Sequence, residues 1–146
     1  MTPLRGRLTN RSRVIDETLI NLFEPSDIAT TVSAARSITR DMGFEKNRQF
    51  LIASAVSELA TNILRYAGRG QVIIRIIMEG EREGIEVVAR DSGPGIHDIE
   101  QAMQDHFSGG AGLGLGLPSV KRIMDEFSLE SSPGVGTTVT ALKWRN

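Results

Sequence analysis

Two side chains with complementary chemistry stand four residues apart in SELATNILRY, the carboxylate of Glu58 and the carboxamide of Asn62. On a helix that spacing stacks them on one face. A carboxylate so placed can accept a proton from an attacking hydroxyl, worth roughly 10²–10⁴-fold in rate where it operates. A carboxamide oxygen suits Mg²⁺, which takes oxygen donors and keeps several waters beside nucleotide phosphates. The plain alternative is a helix edge whose Glu and Asn reach water. Asp91-Ser92-Gly93-Pro94-Gly95 then follows the run IEVVAR. Such a sequence makes an Asx-type turn readily. It also places a carboxylate where it could accept from the exocyclic amine of adenine and reject guanine, whose carbonyl would leave two acceptors facing each other. Gly93 and Gly95 would remove Cβ atoms where the ring slides in. Finally, Gly112-Leu113-Gly114-Leu115-Gly116-Leu117-Pro118 feeds a helix with Pro118 in its first turn. A glycine-rich loop at a helix start offers backbone N–H groups to phosphate, and a merely flexible loop is the alternative. No GxxxxGK[ST] P-loop occurs, and the strand and acidic residue of a dinucleotide fingerprint are missing.

The elements that must hold these groups follow from patterning. Residues 1–16 carry Arg5, Arg7, Arg11 and Arg13 with little apolar pattern, and are read as a basic, mobile tail ahead of one domain over 17–146. A short strand is expected over 18–23 and a helix over 26–42, with Ser26 as N-cap and Gly43 as the stop. A second helix over 47–66 has an apolar stripe of Leu51, Ile52, Ala55, Val56, Leu59, Ala60 and Ile63, with Glu58 and Asn62 at its edge. Strands over 71–79 and 85–90 form a hairpin about a turn at 80–84. A short helical stretch over 98–103, a helix over 118–126 and strands over 128–131 and 137–144 complete the chain. The architecture expected is α+β, a two-layer α/β sandwich with a mixed, mostly antiparallel sheet covered on one face by helices.

The 146 residues are 40% hydrophobic and 24% charged, with formal net charge -1. That is the profile of a folded, water-facing domain and lacks the basic excess of a nucleic-acid binder. There is no cysteine, so disulfides and thiolate zinc sites are excluded, and His97 and His106 are too few for most metal cages. No apolar run is long enough for a membrane helix, and no signal-peptide pattern opens the chain; a cytoplasmic location with no membrane partner is the expectation.

The order Glu58-Leu-Ala-Thr-Asn62, Asp91-Ser-Gly-Pro-Gly95, Gly112-Leu-Gly-Leu-Gly116 and Gly134-Val-Gly-Thr137-Thr resembles the complete motif series of the GHKL (Bergerat-fold) ATPases: N box, two glycine boxes and the closing GxGT. The resemblance spans residues 18–144. It implies that ATP is the cofactor, that Asn62 holds Mg²⁺ and that Glu58 is the general base. It also implies that Asp91 binds the adenine amine with Gly93 and Gly95 beside it, and that the Thr137 hydroxyl supports the adenine pocket. Gly112, Gly114, Gly116 and Leu117 would wrap the phosphates, Ser108, Gly109 and Gly110 would belong to a lid over 104–111, and Arg65 would approach the phosphates. The chain is shorter than sensor kinases or ATPases with transducer domains require. The stretch PSVKRIMDEFSLESSPGVGTTVTALKW and the short lid resemble the stressosome branch of bacterial partner-switching serine/threonine kinases. That branch implies a STAS-domain protein as substrate and a PP2C-type phosphatase regulator as second partner. An anti-sigma factor kinase, or a nucleotide-gated binding module with little catalysis, are the alternatives. Two departures stand out: the long N-terminal tail, and Arg65-Tyr66 where many relatives carry His or Lys.

Overall fold

The structure, a computed structural model, describes residues 12–104 and 116–146. The expectations for Ser108, Gly109, Gly110, Gly112 and Gly114, most of the lid, and the first eleven residues lie outside these. Along the chain run β1 (Ser12–Leu22), α1 (Ser26–Met42), α2 (Lys46–Tyr66), β2 (Gly70–Glu79), β3 (Arg82–Asp91), the single turn α3 (Ile99–Ala102), α4 (Leu117–Ile123), β4 (Glu126–Ser132) and β5 (Gly136–Trp144). The strands make one sheet in the order β1-β2-β3-β5-β4. Every pairing among the described residues is antiparallel, so the expected α+β sandwich is present with a wholly antiparallel sheet.

Helix boundaries follow local chemistry. Asp27 fastens the start of α1, its Oδ2 accepting from the backbone N–H groups of Phe23 at 2.8 Å and Glu24 at 3.0 Å. Ser26 was expected in that role, but its hydroxyl donates instead to Glu24 Oε1 at 2.9 Å. Gly43 ends the helix at φ 85°, its N–H returning to Arg40 O and that of Phe44 to Thr39 O, a left-handed stop that relieves the last carbonyls. Strand β1 begins at Ser12, well before the expected residue 18. Its apolar alternation is weak because it is an edge strand with both Ile15 and Leu19 about half exposed. The β2–β3 hairpin closes between Glu79 and Arg82, a tighter turn than residues 80–84. Helix α4 stops at Ile123, where Lys143 Nζ donates to the Ile123 carbonyl at 2.9 Å and the Asp125 N–H joins Leu142 O.

One face of the sheet carries Val72, Ile74, Val87, Ala89, Val139 and Ala141 against Ile52, Ala55, Val56, Leu59, Ala60 and Ile63 of α2. Each fully buried Leu, Ile or Val contributes about 1.5–3 kcal/mol by leaving water. Leu51, expected in this stripe, is 44% exposed; it lies on the same helix face as Glu58, beyond the reach of the sheet. The opposite sheet face holds Ile77, Leu142 and Trp144 with Val14 packed on them. Beside them runs a charged row across three strands, in which Arg75 pairs with Glu17 on β1 and with Glu86 on β3, the latter at 3.0 Å. Arg75 and Glu86 are almost fully buried. Removing one member of a buried pair leaves the other's desolvation poorly compensated. Arg75→Met is therefore expected to destabilise the fold by about 3 kcal/mol, read as a lower urea midpoint at unchanged slope; an unmoved midpoint would show that the pair contributes nothing.

Candidate functional site

The second half of α2, the end of β3, the loop after it and β5 enclose a cleft of about 400 Å³, a volume typical of small-ligand sites. Its floor is apolar, from Leu59, Ile63, Ala89, Ile96, Leu117 and Val139, and Asn62, Asp91 and Thr137 supply convergent polar groups. An apolar lining with a few convergent polar groups suits a heteroaromatic ring carrying a polar tail.

Asp91 sits at the last rung of β3, opposite Thr137 on β5. Its Oδ1 accepts from the Gly93 N–H at 2.8 Å, the expected Asx turn, and the residue also lines the cleft. Burial pushes the Asp91 carboxyl above its ordinary value, against the backbone N–H groups of Gly93 and Thr137, which favour the carboxylate. A half-buried carboxylate aimed into an apolar cleft is poised to accept from a ligand.

The Thr137 hydroxyl lies 2.8 Å from Ser131 Oγ, and Ser131 Oγ accepts from the Ile96 N–H at 2.7 Å. Thr137 therefore holds the loop that carries Ile96 through Ser131, and Gly134 N–H donates to Pro94 O at 2.7 Å from the same hairpin. Ser131 escaped the sequence reading because nothing local marks it; only the register that sets it opposite Thr137 reveals it. The glycines of the loop were expected to clear space for a ring. The protein itself also constrains them: a Cβ on Gly93 would lie 2.5 Å from Ala67 Cβ, and one on Gly95 2.3 Å from Ser132 O.

Asn62, Asp91, Gly95, Leu117 and Thr137 thus share one cleft, whereas Glu58, Arg65, Gly93 and Gly116 do not line it. Glu58 stands one helical turn before Asn62, about 6 Å along α2, with its carboxylate against Gly116 at the start of α4. Arg65 is exposed, its guanidinium 6.0 Å from the Tyr66 ring. Tyr66, His97 and Gln101 also line the cleft. Among the described residues no group of three or more His, Cys, Asp or Glu could hold a metal. No helix of the described residues is long and apolar enough to cross a membrane.

Residues 23–143 match the model of the histidine kinase-like ATPase domain. The chain belongs to this family. As a GHKL-type domain it binds ATP. The chain is 43% identical to the serine/threonine-protein kinase RsbT of Bacillus subtilis over 129 residues, covering 88% of this chain and 97% of RsbT, and it is by type a protein serine/threonine kinase. It is also 32% identical to the anti-sigma F factor of Thermoanaerobacter sp. (strain X514) over 139 residues, 91% of this chain and 94% of that protein. The fold recurs in the crystal structure of the SiaB-SiaC complex from Pseudomonas aeruginosa, with TM-score 0.53 and 17% identity over 90% of this chain and 91% of the other.

Proposed function

We propose that this kinase transfers the γ-phosphoryl group of ATP to a Ser or Thr hydroxyl of a small STAS-domain protein within a stressosome-type complex, and that once released it binds and activates a PP2C-type phosphatase regulator. The observation that carries the reading is the layout of one line of groups. Asp91 and Thr137 face each other across β3 and β5 and line one apolar cleft with Asn62, and Glu58 stands one turn before Asn62 on the same helix face. Adenine held at Asp91 would leave its phosphates to run past Asn62 toward Glu58.

Asn62 offers one neutral oxygen, which fits Mg²⁺ held by few protein ligands and by phosphate oxygens; when bound, the ion neutralises phosphate charge. In the transfer, the substrate hydroxyl oxygen attacks the γ-phosphorus and the bond to the β,γ-bridging oxygen breaks. ADP leaves with that electron pair, and the hydroxyl proton passes to Glu58. Positioning dominates such a reaction. The nucleophile resides on another protein, so that protein must approach α2 from outside. Leu51, 44% exposed, lies on the same face of α2 as Glu58, two turns nearer its start, and Phe50, 71% exposed, stands beside it about 100° round the helix toward solvent; together they offer the acceptor protein an apolar footing.

The test is a phosphotransfer assay with labelled Mg-ATP and a panel of STAS-domain proteins. Transfer to one of them is expected, and Phe50→Ala with Leu51→Ala should raise the KM for that protein about tenfold, the loss of one or two apolar contacts, with ATP affinity unchanged. ATP binding without transfer to any of the panel would sink the kinase reading in favour of a nucleotide-gated binding module. The likeness to anti-sigma F factors supports a second reading, in which the chain also sequesters a sigma factor; capture of a sigma factor by the ATP-bound chain separates the two.

A further inference from the structure

Gly116 adopts φ 70° at the start of α4. A Cβ built there would fall 2.0 Å from Glu58 Oε2, 2.7 Å from its Cδ and 3.2 Å from its Cγ. The other described glycines of positive φ differ. Gly43, Gly68, Gly80 and Gly134 have nothing within 4 Å, and Gly95 and Gly136 would meet the backbone oxygens of Ser132 and Asp91. Only at Gly116, among these, is the missing side chain's space taken by a carboxylate.

The two sides of the contact differ in freedom. Gly116 cannot retreat, because its carbonyl accepts from the Val120 N–H at 3.2 Å and the adjoining Leu117 and Val120 are buried in the main core. The Glu58 side chain can swing about its own torsions at small cost. A larger residue at 116 would therefore leave the fold in place and move the carboxylate. We infer that Gly116 is a positioning residue for Glu58, fixing where the proton of the acceptor hydroxyl is received and tying that point to the end of the glycine-rich segment. The inference rests on the reading of Glu58 as general base, because a displaced carboxylate matters only if it receives the proton. A misplacement of about 1 Å can cost on the order of 10²-fold in rate.

The experiment compares Gly116→Ala with Gly80→Ala, which imposes similar left-handed strain at φ 64° with no neighbour to displace. It also compares Glu58→Gln. In the full chain, with the STAS-domain acceptor of the assay above, Gly116→Ala is expected to lower kcat about 10²-fold with ATP affinity changed less than threefold. Gly80→Ala should remain near wild type. The carbon-13 resonance of the Glu58 carboxyl, assigned by its loss in Glu58→Gln, should move in Gly116→Ala and stay in Gly80→Ala. An unmoved resonance, or a wild-type kcat in Gly116→Ala, would overturn the inference. So would equal loss of ATP binding and kcat in Gly116→Ala. Full transfer by Glu58→Gln would instead remove the general-base reading beneath it, an outcome recognisable because the resonance shift would persist.

Discussion

Replacing Asn62 with alanine is expected to abolish phosphotransfer while the domain stays folded. The side chain lies at the edge of α2's buried stripe, intermediate in exposure. Alanine is also the better helix former by a few tenths of a kcal/mol, so the melting temperature should hold within a few degrees. What disappears is the neutral oxygen that would hold Mg²⁺ against the phosphates. Loss of one preorganised electrostatic contact typically lowers turnover about 10²–10³-fold. Labelled-phosphate transfer to the acceptor, with circular dichroism on the same sample, measures both halves. Transfer at wild-type rate would remove Asn62 from the site.

The second large effect is expected from Asp91→Asn. The carboxylate answers the backbone N–H groups of Gly93 and Thr137 and still has acceptor capacity for an adenine amine. Asparagine retains one oxygen and replaces the other with a donor, so either the turn or the ligand then faces an N–H where it needs an acceptor. A buried polar mismatch of that kind costs about 1–3 kcal/mol, a drop of roughly 10–100-fold in ATP affinity by calorimetry. The pH dependence has a definite sign. Burial raises the Asp91 carboxyl, so ATP affinity should be flat near neutrality and fall on acidification at a pH above the ordinary aspartate range. The stability contribution runs the other way. A raised carboxyl favours the fold below its unfolded pKa, and that benefit is lost as pH rises through the folded value. Asp91→Asn should therefore melt no lower than wild type at pH 7 even as it loses ATP. A lower melting temperature with unchanged affinity would make Asp91 a turn residue alone.

The long helices and the β2–β3 hairpin were legible because periods of 3.6 and 2 are strong in segments that bury one side. Gly43 announced its stop, and the ordered motifs brought Asn62, Asp91 and Thr137 together before any coordinates did. What the pattern missed has physical causes. The first half of β1 pairs only on one edge and exposes Ile15, so its alternation is faint. Helix α4 ends early because Lys143, twenty residues away in sequence, caps it. Ser131 becomes meaningful only in register with Thr137. The packing constraint on Gly93 and Gly95 was not legible because their close neighbours, Ala67 and Ser132, come from other elements.

The charged row Glu17–Arg75–Glu86 bears on more than stability. Side chains on a strand alternate between faces, so a slip of one residue between β2 and its neighbours would carry Arg75 into the layer occupied by Val72 and Ile74, under the helices. The row thus acts as a register pin for a sheet whose central strands are otherwise runs of interchangeable Ile and Val. Apolar residues of matching volume at Arg75 and Glu86 would be tolerated thermodynamically, since a buried ion pair seldom outweighs its desolvation. Such a sheet would keep its energy and lose its unique alignment, and with it the rung that sets Asp91 opposite Thr137.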